Sequence, residues 1–170
     1  KQAISVLTKV LEDIKQEPMV RHEAAEALGA IGSPEVLNLL KKYKEDPVVE
    51  VAETCELALE RIQWLQSSGD TNLSENPYQS VDPAPPSAIT DVENLKNILL
   101  DEKASLFQRY RAMFSLRNLR TTESINALCI ALKYGSALFR HEIAFVLGQL
   151  QDESSVRALK ESLEDCTENE

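Results

Sequence analysis

The chain is sparing with the residues that most often carry chemistry. It has two histidines, three cysteines and one tryptophan among 170 residues. Five glycines leave no Gly-rich loop of the kind that cradles phosphate. No Ser or Cys sits in a nucleophile elbow or beside a histidine, so covalent nucleophilic catalysis has no support. No apolar run approaches the roughly eighteen residues of a membrane span, and Lys1-Gln2-Ala3-Ile4 opens neither a basic region nor a long apolar core. Cys55, Cys129 and Cys166 are odd in number, far apart and outside any Cys-x-x-Cys pair. Reduced thiols of a cytoplasmic protein are therefore expected, with Cys55 and Cys129 packed in the core. Basic residues are also short: a formal charge of −10 argues against nucleic acid, which needs clustered Lys and Arg. An acidic surface favours cationic partners, although solubility alone is sufficient reason for it.

What is present is repetition. Both histidines stand in near-copies of one phrase, Arg21-His22-Glu23-Ala24-Ala25-Glu26-Ala27-Leu28-Gly29 and Arg140-His141-Glu142-Ile143-Ala144-Phe145-Val146-Leu147-Gly148. Pairing Ala25 with Ala144, Leu28 with Leu147 and Ile31 with Leu150 gives the i+3 and i+4 spacing of an amphipathic helix. Around the first copy, a helix from Pro18 to Ile31 is expected to be followed by Gly32-Ser33-Pro34 and a second helix from Glu35 to Tyr43. Pro18 and Pro47 suit first-turn positions, where the missing N–H costs nothing, and aligning them sets Val20 against Val49 and Leu28 against Leu57. Leu116 and Leu119 match Leu147 and Leu150 in the same way, with Tyr110-Arg111 standing where the next unit has His141-Glu142.

Two-helix units with a period of about thirty residues predict an all-α solenoid of the HEAT type, each unit burying its apolar stripe on its neighbours. Residues 1–66 and 91–170 read as two arms of such repeats. Residues 67–90, with Gly69, Pro77, Pro83, Pro85 and Pro86, read as a Pro/Ser-rich linker. The opening Ala3-Ile4, Leu7, Leu11-Glu12-Asp13 also matches Ser155-Val156, Leu159, Leu163-Glu164-Asp165, and Glu17-Pro18 then corresponds to Asn169-Glu170. The expectation is a fragment of a longer protein with four units per arm and four His-Glu pairs, two of them here.

Imidazole and carboxylate together suit iron, manganese or zinc. The His-Glu-x-x-His pattern of helical zinc proteases is excluded, because Glu26 and Phe145 occupy the second histidine's place. Adjacent helical residues point about 100° apart, so one pair does not readily close on one ion. Each pair either lies between two metals or sends its Glu across a site toward another ion, and a thiolate-free N/O set favours iron. The plainer reading is a solvated or locally hydrogen-bonded pair, against which stands its recurrence on matching units. Arg21 and Arg140 are surface charge or groups steering the Glu side chains, and Tyr110-Arg111, Trp64 and Phe145 are packing or cap residues.

Several phrases resemble the deoxyhypusine hydroxylase family: Pro18-Met19-Val20-Arg21-His22-Glu23, the Leu-Gly-Ala-Ile-Gly run at 28 to 32, Tyr78 with Val81-Asp82-Pro83-Ala84-Pro85-Pro86, Arg109-Tyr110-Arg111-Ala112-Met113-Phe114, and Gly135-Ser136-Ala137-Leu138-Phe139-Arg140-His141-Glu142. The resemblance runs through nearly the whole chain. It implies a two-armed HEAT protein with a non-haem di-iron centre held between the arms by four His-Glu motifs, two Fe(2+) per complete protein. Such a protein is a monooxygenase that hydroxylates the deoxyhypusine side chain of a translation initiation factor with O2, completing hypusine. His22 and His141 match iron-binding histidines, and Glu142 matches a carboxylate of the centre. Glu23 matches a motif glutamate that either binds iron or holds the cationic substrate beside it. With two motifs of four, the chain by itself is expected to turn over little or nothing. The rival readings are a non-enzymatic HEAT scaffold that binds another protein, and the HEAT-like lyases that attach bilins.

Overall fold

The structure is a computed structural model, described here for residues 2–67 and 73–167. Lys1, Gly69, Asn169 and Glu170 lie outside the described residues. Among the described residues every regular element is helical, and no helix is long and apolar enough to cross a membrane. These residues fall into two compact units, the first formed by residues 2–67 with Val81–Ala84, the second by residues 73–80 and 85–167.

In the first unit, α1 (Gln2–Glu12), α2 (Pro18–Ile31), α3 (Leu37–Tyr43) and α4 (Val49–Gln66) succeed one another with short turns. Pro18 opens α2, as its fixed φ and missing N–H suit. Gly32 closes it at φ +72°, its N–H returning to the Leu28 carbonyl at 3.1 Å. The helix expected from Glu35 begins later, because Pro34–Val36 forms a 3-10 turn that feeds α3. Pro47 likewise stands just outside α4 rather than in its first turn. Val48 is the N-cap residue, and Asp46 Oδ1 accepts the Val48 N–H at 3.0 Å. Leu11, Ala25, Leu28, Leu40, Val51, Cys55 and Ile62 form the core. Burial pushes the Cys55 thiol up to about 12, which makes it an inert packing residue. Cys129 is only half-buried and Cys166 is exposed.

The approach of α2 to α4 depends on a residue without a side chain. A Cβ at Gly29 would lie 2.7 Å from the Ala58 Cβ, closer than two such atoms can stand. With hydrogen there, the helices meet closely, and Arg61 Nη1 donates to the Gly29 carbonyl at 2.7 Å. The matching Gly148 in the second unit has nothing within 4 Å of the same position.

Arg21 ties three successive segments together. Its Nε donates to the Leu11 carbonyl at 3.0 Å, in the last turn of α1, where helix carbonyls lack intrahelical donors. Its two terminal nitrogens grip Asp46 at 3.2 and 2.5 Å, with 4% and 5% of the two side chains exposed. Burial alone would raise the Asp46 pKa, but the Arg21 hydrogen bonds, the Val48 N–H and the Arg21 charge outweigh it and lower the pKa. Arg21 is thus neither surface charge nor a guide for Glu23.

The second unit holds α5 (Val92–Leu100), α6 (Leu106–Leu119), α7 (Thr122–Ala131), α8 (Ala137–Leu150) and α9 (Val156–Leu163). Ser105 caps α6, Thr121 and Ser124 form a capping box on α7, and Ser136 caps α8. Arg109 repeats part of the Arg21 arrangement: its Nε donates to the Leu99 carbonyl at 3.0 Å in the last turn of α5, and its guanidinium lies 3.9 Å from the Phe139 ring centroid. Tyr110 is a core residue, edge-on to Phe114 and Phe139 at 6.2 and 5.7 Å. Phe145 is instead largely exposed.

The described part of the Pro-rich stretch, 73–90, is irregular, yet it is strapped down. Asn118 Nδ2 donates to Ser74 Oγ, and Arg117 lies between the Tyr78 and Phe114 rings at 4.9 and 4.8 Å. Arg61 Nε donates to the Asp82 carbonyl. Arg111 donates to the carbonyls of Pro85 and Pro86, and the Ser87 N–H reaches Ser115 Oγ at 2.7 Å. Ala84 is fully buried. A proline offers no N–H, so its carbonyl is its only means of anchorage, and arginines supply the donors.

The close approach and the buried ion pair of the first unit can each be tested by substitution. Gly29→Ala should lower stability to urea by about 1–3 kcal/mol, whereas Gly148→Ala should be neutral or stabilising by up to about 1 kcal/mol; equal effects would contradict the close approach. Asp46→Ala leaves the buried Arg21 without its counter-charge and should cost about 3–5 kcal/mol at neutral pH. Because the Asp46 pKa is lowered in the folded chain, the pair's contribution is present above the ordinary Asp value of about 3.9 and lost as pH falls through the folded value. Acid titration of both chains should therefore show the gap closing below about pH 4.

Candidate metal centre

The two His-Glu pairs occupy the same frame of α2 and α8 but different surroundings. His22 is 6% exposed, turned from α2 against α4. Its Nδ1 lies 2.6 Å from Thr54 Oγ1, and the Thr54 hydroxyl reaches the Glu50 carbonyl, one turn earlier in α4, at 2.7 Å. The opposite ring nitrogen, Nε2, faces carboxylates: Glu26 Oε2 stands at 3.6 Å and Glu23 Oε1 at 4.0 Å. The Glu23 side chain is 70% exposed, as the angular step between neighbouring helical residues requires. His22 therefore points inward and Glu23 outward, and the carboxylate nearest the ring belongs to Glu26, one turn further on. Glu26 carries no repeated signal in the sequence, because Phe145 fills the matching place in α8.

In the second unit His141 is exposed on α8 and Glu142 is half-buried. Arg140, which precedes them, donates to the Gly135 carbonyl at 2.6 Å, bracing the turn into α8. It also lines a cavity of about 430 Å³ with Cys129, Lys133, Glu161 and Asp165.

The donor set at His22 suits a divalent cation: an imidazole nitrogen with carboxylate oxygens close by and no thiolate, a combination proper to iron or manganese as well as zinc. Within the described residues no group of three or more His, Cys, Asp or Glu side chains is already placed to hold a metal ion. Among the described residues neither pair by itself supplies a complete coordination shell.

Comparison with known proteins supports the helical-repeat reading. HEAT repeats match residues 1–60, and the PBS lyase HEAT-like repeat matches residues 108–134 and 139–165. Deoxyhypusine hydroxylase of Drosophila melanogaster is 64% identical over 170 residues, covering 99% of this chain and 56% of that protein. The Homo sapiens enzyme is 58% identical over 168 residues, covering 99% and 55%. A solved structure of human deoxyhypusine hydroxylase in complex with glycerol aligns with a TM-score of 0.92 at 58% identity, over 99% of this chain and 58% of that one. The chain spans little more than half the length of these relatives. It is a HEAT-repeat chain, helical in every regular element of its described residues, that matches deoxyhypusine hydroxylases along 99% of its own length.

Proposed function

We propose that this chain forms part of an enzyme that hydroxylates the deoxyhypusine side chain of a translation initiation factor to hypusine. The observation that carries the reading is the 58–64% identity to deoxyhypusine hydroxylases across 99% of the chain, in a sequence whose only histidines stand in the repeated His-Glu frame. In this reading residues 1–66 and 91–170 belong to two arms, and the longer protein carries four His-Glu pairs and two Fe(2+).

His22 and His141 are the iron-binding histidines, and Glu142 supplies a carboxylate to the centre. Iron, when bound, supplies the activation of O2 that attack on an unreactive C–H bond requires and that no side-chain acid or base provides. The residues of this chain then have three tasks. His22, fixed against α4, holds one ligand nitrogen in place. Glu23, exposed beside it, either completes a shell or offers its charge to an ammonium group of the substrate. The surplus of acidic residues draws in a long side chain that carries such groups. The cytoplasm, where the substrate protein works and thiols stay reduced, is the expected compartment. Nothing in the chain calls for nucleic acid or a membrane.

The longer protein, purified anaerobically, should hold roughly two irons per chain and lose most of them in a His22→Ala, His141→Ala double variant that still folds. Hydroxylation of a deoxyhypusine-bearing acceptor should fall in parallel, and these 170 residues alone should give little or none. Iron-free but well-folded and active protein would overturn the reading, and iron-free inactive protein would favour a protein-binding scaffold.

A further inference from the structure

Thr54 sits in the middle of α4, nearly buried, with no partner of its own kind in either His-Glu phrase. A hydroxyl has one proton, and Thr54 directs it to the Glu50 carbonyl at 2.7 Å, the i−4 bond that threonine makes inside helices. The oxygen then meets His22 Nδ1 at 2.6 Å as an acceptor, so the imidazole must bring the proton. A neutral ring protonated at Nδ1 has a bare lone pair at Nε2. That lone pair faces Glu26 Oε2 at 3.6 Å and Glu23 Oε1 at 4.0 Å.

We propose that Thr54 is a positioning residue, which accepts the Nδ1 proton of His22 and thereby presents Nε2 as the nitrogen that binds a divalent metal. The inference rests on the reading of His22 as an iron ligand and adds which ring nitrogen binds and what decides it. A ligand histidine whose other nitrogen is anchored has a fixed tautomer and ring plane, and loss of such an anchor typically weakens metal binding roughly 10–100-fold. The anchor comes from the next repeat: Gly29 lets α4 approach α2, and the same approach brings Thr54 within reach of His22. A metal bound at one unit is thus coupled to the stacking of the unit after it.

With only two histidines in the chain, the imidazole nitrogen resonances of nitrogen-15-labelled protein give a direct readout, assigned with a His141→Asn variant. Under mildly alkaline, metal-free conditions His22 should carry its proton on Nδ1. Thr54→Val, which keeps the shape and removes the hydroxyl, should release the ring into a mixture of tautomers, and Thr54→Ser should restore the single one; circular dichroism verifies that each variant is folded. Anaerobic Fe(II) added to the longer protein, with its remaining His-Glu pairs, should then broaden the His22 signals, with an apparent affinity about 10–100-fold lower in Thr54→Val and recovered in Thr54→Ser. A wild-type ring protonated at Nε2, or a tautomer unchanged by Thr54→Val, overturns the proposal while leaving His22 available as a ligand. An Nδ1-protonated ring whose signals ignore Fe(II) in the longer protein overturns instead the metal reading on which the proposal rests.

Discussion

The contact between α2 and α4 is the constraint on which the first unit depends. Two helices can come this close only where one of them lacks a side chain, and Gly29 against Ala58 is that place. Once it is met, the rest of the interface has little freedom. Arg61 reaches the Gly29 carbonyl, Leu28 and Ile62 are sealed in the core, and His22 is carried to the Thr54 hydroxyl. The histidine is therefore placed by packing, with a hydrogen bond to settle its orientation. Gly148, in the matching frame of α8, has no such neighbour, and His141 on the same helix is exposed.

Arginine performs the other recurrent task. Arg21 and Arg109 each donate to a carbonyl in the last turn of the preceding helix, where helix ends are short of donors and carry partial negative charge. Arg21 continues to Asp46 and so reaches the turn before α4. Arg109 instead stacks on Phe139. Arg61, Arg111 and Arg117 hold the irregular stretch by its carbonyls and by the Tyr78 ring. A solenoid is stable only as far as its units adhere, and these side chains fasten separate segments of the chain through carbonyls, a carboxylate and aromatic rings.

The repeats were legible because apolar periodicity and the His-Glu phrase are local signals, read within one helix. The all-helical architecture of the described residues and its HEAT character accord with that periodicity and with the Pro and Gly punctuation. Pro47 stands two residues before the first residue of α4, where Asp46 rather than proline sets the start of the helix. The Pro-rich stretch reads as a tether by composition, but the donors that hold its carbonyls belong to distant arginines. Arg21 likewise gives no local sign that its partners are Leu11 and Asp46. Thr54 was invisible for the same reason: it touches His22 only across a helix interface, and an isolated threonine in a helix carries no pattern. Glu26 leaves no mark in the repeat pattern, since Phe145 fills its place in α8, although its carboxylate lies one turn from His22.

By the proposal above, His22 offers Nε2 to iron while Thr54 keeps Nδ1. This is tested most directly by locating iron through anomalous scattering at the iron edge, in crystals of the longer protein grown with Fe(II) under anaerobic conditions. An iron peak is expected at bonding distance from His22 Nε2, with Nδ1 still on Thr54 Oγ1, and iron bound at His141 as well. Iron bound through Nδ1 with the Thr54 contact broken, or iron bound away from both histidines, would contradict it.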